Sequence, residues 1–148
     1  MHFAEVVSII ALLVSLASLS ATLYFNLRDR ARVVAKSEFY EGYSGDVPSM
    51  SVSIVNAGRR PIVLRMWAGT DGKENWAGTM LNSKEGGQRL AEHERYDLHL
   101  TREDLVAFTP DDNFVFSDLW VEDTLGRRYA VAQAKDNIRK LWGRNGAT

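Results

Sequence analysis

The chain has 148 residues, a net charge of −1 and no cysteine. That length holds a membrane segment and one domain of modest core, and leaves no room for a second soluble domain. The near-zero charge excludes the global basic field of a nucleic-acid binder, so no nucleic acid is expected as a partner, and the missing thiols exclude disulfides and thiolate metal sites.

The first element is an uncharged run from Val6 to Leu27, between Glu5 and the cluster Arg28, Asp29, Arg30, Arg32. As a helix it is roughly 33 Å long, enough to cross a hydrocarbon core of about 30 Å, and the expected segment is a transmembrane anchor over residues 1–30. A cleaved signal peptide is the competing reading. The start Met-His-Phe-Ala-Glu lacks Lys and Arg, however, and the run exceeds the usual 7–15 residues. A buried soluble helix would need an equally apolar partner helix, and the chain has none. Arg28, Arg30, Arg32 and Lys36 all follow the span, so positive charge places the N-terminus outside and the rest in the cytoplasm.

Within the span, Ala4, Ser8, Ala11, Ser15, Ser18 and Thr22 recur at alternating steps of four and three, a stripe of small residues along one helix side. Small faces allow close approach of membrane helices, which predicts self-association or pairing with another membrane protein. Hydroxyls bonded to their own backbone are the alternative. Leu12, Leu16, Leu19 and Leu23 would then face lipid.

Residues 31–132 read as a β domain. A strand is expected near Val33 to Phe39, with no Pro, Gly or Ser-rich spacer before it, so the domain sits close to the bilayer. Met50, Val52 and Ile54 alternate with serines, and Ile62, Leu64 and Met66 alternate with Val63, Arg65 and Trp67. This parity puts Arg59, Arg60 and Trp67 on exposed surfaces, as candidate partner contacts. Asn56 to Pro61 supplies a reversal, Pro61 suiting a first strand position. A weaker strand spans Trp76 to Leu81, then one strand from Leu90 to Leu100 carries Ala91, His93, Arg95, Asp97 and His99 on one face. Thr101 to Asp104 fits a capping box for a short helix. Phe114 to Val121 and Arg128 to Ala132 form a hairpin around Glu122 to Arg127. Six or seven short strands at regular spacing predict a mainly β fold, an antiparallel immunoglobulin-like β-sandwich, with a partly open barrel as the alternative.

The span, the segment Val52-Ser53-Ile54-Val55-Asn56-Ala57-Gly58-Arg59-Arg60-Pro61-Ile62 and the segment Val121-Glu122-Asp123-Thr124-Leu125-Gly126-Arg127-Arg128-Tyr129 together resemble a broad group of bacterial and phage proteins of uncharacterised function that carry an N-terminal anchor and a β-sandwich. The resemblance implies a fold and no activity.

Chemistry-bearing motifs are sparse. GxSxG, GxxxxGK[ST], HExxH and GxGxxG are absent, and no cofactor is expected. Asp97 and His99, on one strand face, are weak metal-ligand candidates, with His93 further along, and support a membrane-tethered metal enzyme as an alternative function. The acid pairs Glu103-Asp104, Asp111-Asp112 and Glu122-Asp123 lie in turn-like contexts that suit caps better than the facing carboxylates of a glycosidase. A calcium loop at Asp111, Asp112 and Asn113 lacks EF-hand spacing. A small oligomeric permeabilising protein is a further alternative, though no charged pore ring occurs.

Charge is segregated: residues 71–123 hold 13 acids and 5 bases, residues 127–148 hold 6 bases and 1 acid. In the tail, residues 133–148, Ala134, Ile138, Leu141 and Trp142 form an apolar stripe among Lys135, Arg139, Lys140 and Arg144. This basic amphipathic helix packs on the β domain, lies on an anionic leaflet with Trp142 at the headgroups, or meets a partner. The expected function is that of a single-span, membrane-anchored binding or assembly module without catalytic activity, oligomeric, in a bacterial envelope or phage-related complex.

Overall fold

The computed structural model describes residues 3–28, 32–42, 46–110 and 113–143. The positive-inside argument at Arg30, the acid pair Asp111-Asp112 and the tail cation Arg144 lie outside these residues. Helix α1 runs Phe3–Arg28. Strands follow as β1 (Val33–Tyr40), β2 (Ser49–Asn56), β3 (Ile62–Thr70), β4 (Trp76–Met80), β5 (Gln88–Leu90) and β6 (Arg95–Thr101), with a 3-10 turn at Ser83–Glu85. Helix α2 (Arg102–Ala107), β7 (Asp118–Asp123), β8 (Arg128–Ala132) and α3 (Ala134–Trp142) follow.

Among the described residues the fold is mainly β: eight strands in one mixed, curled sheet of order β4-β3-β7-β8-β1-β2-β6, with β5 beside β4 on β3. Two expectations need correction. The strands number eight, and pairing is not antiparallel throughout, because β1 and β8 run parallel through Ala35↔Val131 and Lys36↔Ala132. The physical reason is that both strands enter the sheet from the same end. Hydrogen bonding therefore passes continuously through β8, and the two halves curl toward one core holding Met50, Val52 and Ile54 from one side and Leu64, Leu119 and Val121 from the other.

A further correction concerns parity on β3. The pairing with β7 shifts between Leu64 and Met66, a β-bulge that leaves Arg65 as the extra residue. One extra residue inverts the alternation beyond it. Trp67 therefore faces the core, 3% exposed, against Phe108 and Phe116 at ring separations of 5.3 and 5.9 Å. Met66 and Ala68 turn to the opposite face of the sheet, where both are still buried. The expected exposed contact at Trp67 is overturned.

The strand predicted from Leu90 to Leu100 is two strands. His93 adopts φ 60, a left-handed turn conformation, and the chain passes there from β5, paired with β3, to β6, paired with β2. Buried Asn56 organises this end. Its Nδ2 donates to the carbonyls of Arg60 (2.8 Å), Leu90 (3.2 Å) and Ala91 (3.0 Å), and its Oδ1 accepts from Gly58 N (3.1 Å). The capping box of α2 forms: Thr101 Oγ1 accepts from Asp104 N, and Asp104 Oδ2 accepts from Thr101 N.

The two ends of the sheet differ. Ala57 N donates to Arg32 O at 2.7 Å and Thr124 N to Val63 O at 3.0 Å, so the turns at 57–61, 91–94 and 124–127 gather where α1 delivers the chain. The far end, roughly 26 Å away along the eight residues of β1, carries the turn after Thr70, α2 and α3.

Candidate functional site

Helix α1 is long and apolar enough to cross a membrane from Phe3 to Asn26, and none of that segment is buried by the β domain. Its regular helix brings Ala4, Ser8, Ala11, Ser15, Ser18 and Thr22 onto one side. Two of those hydroxyls are bonded within the helix: Ser8 Oγ donates to Ala4 O and Thr22 Oγ1 to Ser18 O, each at 2.8 Å. A satisfied hydroxyl keeps its lone pairs for a second helix, and the steric smallness of the stripe is unaffected.

The far-end helix α3 buries Ala134, Asn137, Ile138 and Leu141, leaving Lys135, Arg139 and Lys140 exposed and Trp142 half-buried. Its apolar face is thus taken up by its own domain. Lys135 reaches Asp118 (3.6 Å), Arg139 reaches Asp136 (3.6 Å), and the Arg102 guanidinium lies 5.0 Å from the Trp142 ring centre. Because α3 sits at the end of the sheet opposite to where α1 enters, these cations do not share a surface with Arg59 and Arg60, which lie in the 57–61 turn.

On the β6 edge, Asp97 is engaged by Arg95 Nε at 2.7 and 2.9 Å, and that contact pushes the guanidinium pKa further up. His93 has left the strand for the turn, so it cannot share a face with Asp97 and His99. Among the described residues no group of three or more His, Asp or Glu side chains is arranged to hold a metal. Nearby, the Lys36 hydrogen bond (2.8 Å), aided by one from Tyr40, holds the exposed Glu38 carboxyl below its ordinary range.

The surface that sequence reasoning missed is the outer face of the β4-β3-β7-β8 half. Register places Met66 beside Met80 and Glu122, Ala68 beside Gly78 and Trp120, and Thr70 beside Trp76. Trp76 and Met80 are exposed at 55% and 52%. Buried Glu122 pairs with Arg65 and with Arg128 (3.2 Å), and the Arg128 guanidinium lies 5.0 Å from the Trp120 ring centre. Met66 and Ala68 lie buried beneath this face, and its exposed apolar part is Trp76 and Met80, next to the half-buried Trp120 and the charge triad, a composition favoured at protein interfaces. The one-residue bulge hid it, since unbroken alternation turns Met66 inward.

At the end of the sheet where α1 enters, Asp123 is buried and accepts from Leu125 N, Arg127 N (both 2.9 Å) and the Tyr129 hydroxyl (3.0 Å). Gly126, at φ 76, closes the tight turn. Burial, then the hydrogen bond to Asp123, pushes the Tyr129 phenol above its ordinary value.

No protein family, no curated protein and no solved structure matches this chain.

Proposed function

We propose that the protein is a single-span, membrane-anchored β domain that works as a non-catalytic binding or assembly module, self-associating through the small-residue side of α1, in a bacterial envelope or phage-related membrane complex. The observation that carries this reading is the complete exposure of an apolar helix of spanning length beside a domain that buries its own core. A helix apolar on all sides needs cover, and lipid with a second helix is the cover that its length fits. The positive charge after the span supports an outside N-terminus and a cytoplasmic β domain. The Trp76 and Met80 face supplies a contact surface for assembly. We read the curled sheet as an immunoglobulin-like sandwich whose halves are joined through β8.

Alkaline carbonate extraction of membranes holding the full chain tests the anchor, and light scattering of the detergent-solubilised chain tests assembly. Retention in the pellet and a particle of more than one chain are expected. Release into the supernatant overturns the reading, and a monomer removes its oligomeric part.

A further inference from the structure

We infer that the anchor-side end of the β domain binds the phosphates of anionic phospholipids in the leaflet where α1 ends. This rests on α1 spanning the bilayer. From Arg28 to Arg32 the chain covers at most about 15 Å, so the turns at 57–61 and 124–127 stay within reach of the headgroups. Arg32, Arg59, Arg60 and Arg127 are all exposed there. Among the described residues the opposing carboxylates are engaged: Glu92 lies 3.9 Å from Arg59, Glu94 accepts from Ala91 N at 2.7 Å, and Asp123 is held inside by its three donors. Among the described residues neither Arg60 nor Arg127 has an ion-pair partner.

Between these two arginines lies a cleft of about 630 Å³, bounded by Pro61, Thr124, Leu125, the Asp123 carboxylate with its three donors and, from α1, Asn26. Guanidinium forks match phosphate oxygens two at a time, and a cleft edged by two of them suits one headgroup. Leu125 is 74% exposed at the tip of the 124–127 turn, where an apolar side chain is unexplained by packing and suits the interface just above the acyl chains. Charge complementarity and the short tether favour lipid over a soluble protein as the occupant. The far-end cations of α3 take no part.

The test uses the full chain, which has no cysteine, with Leu125→Cys carrying an environment-sensitive fluorophore and Lys140→Cys as the far-end reference. Each is reconstituted in vesicles of phosphatidylcholine alone or mixed with phosphatidylglycerol, with headgroup-level quencher lipids. Quenching at position 125 is expected to rise with the anionic lipid while that at 140 stays flat. Arg60→Gln with Arg127→Gln lowers the engaged population about fivefold per arginine, and Arg60→Lys with Arg127→Lys retains the response to anionic lipid. Vesicle flotation separates the two claims. A chain that fails to float with neutral vesicles overturns the spanning reading and this inference with it. A chain that floats, with a position-125 probe indifferent to lipid charge or to the glutamine pair, overturns this inference alone.

Discussion

Asn137 on α3 donates from Nδ2 to Ser37 Oγ on β1 at 2.9 Å, and the same hydroxyl donates to Ala132 O at 3.0 Å. Both side chains are buried. This relay ties α3 to the centre of the sheet and to the end of β8, and a buried polar link is costly to cut. Ser37→Ala leaves the Asn137 amide without its acceptor. A loss of about 2 kcal/mol is expected in urea unfolding, with faster amide exchange confined first to α3.

Asn56 is the corresponding device at the end where α1 enters the domain. Its side chain makes four hydrogen bonds to backbone groups of two turns while fully buried. Asn56→Ala removes these four hydrogen bonds at once, the Ala91 carbonyl keeping only its bond from Glu94 N, with an expected loss of about 3 kcal/mol and a lowered denaturant midpoint at unchanged slope. Asn56→Asp is expected to be no better, since an aspartate cannot donate to those carbonyls.

The bulge at Arg65 gives a paired prediction. Trp67→Ala empties a core position against Phe108 and Phe116 and is expected to cost about 3–5 kcal/mol. Trp76→Ala, on the exposed face of the edge strand, is expected to stay within about 0.5 kcal/mol. Thermal unfolding of both variants checks the parity; equal effects would contradict it.

Much of the fold was legible in the sequence, and the misses have physical causes. The N-terminal apolar helix, β1 to β4, the β7–β8 hairpin, whose first strand begins at Asp118 and not at Phe114, and the Thr101 cap each rest on local signals, whether an apolar run, alternation or a capping pair. A bulge adds one residue without any turn signature, so Trp67 and Met66 exchanged faces unseen. His93 breaks the strand by a positive φ that imidazole tolerates but does not announce. The parallel pairing of β1 with β8 is non-local and has no mark in either strand. The same limit applied to the surfaces: Arg59 and Arg60 stood out beside Pro61, whereas the nearness of Arg127 to them depends on how β3 meets β7.

Tyr129 gives a pH prediction with a definite sign. Its folded pKa is raised above the ordinary 10.0 by burial and by the hydrogen bond to Asp123. Above that value the unfolded chain loses the proton first, so stability is fully present below about pH 10 and falls as pH rises through the folded pKa. Tyr129→Phe should flatten this alkaline loss relative to the parent. Parallel curves for the two proteins above pH 10 would contradict the assignment.

The stripe on α1 predicts assembly. Replacing Ser8, Ser15 and Thr22 together by Leu widens that side by three bulky groups and removes the close approach it allows. A smaller particle in detergent by light scattering is expected, with the β domain's unfolding unchanged. An unaltered particle size would remove the stripe from the account.

The most direct test of the central claim is paired thiol labelling in intact cells, using Phe3→Cys at one end of α1 and Ser83→Cys in the exposed 3-10 turn of the domain, in a chain with no native cysteine. An impermeant reagent is predicted to label Cys at position 3 before lysis and Cys at position 83 only after it, as a single span with a cytoplasmic β domain requires. The inverse pattern would keep the span and reverse its orientation. Identical behaviour at both positions would contradict the span itself.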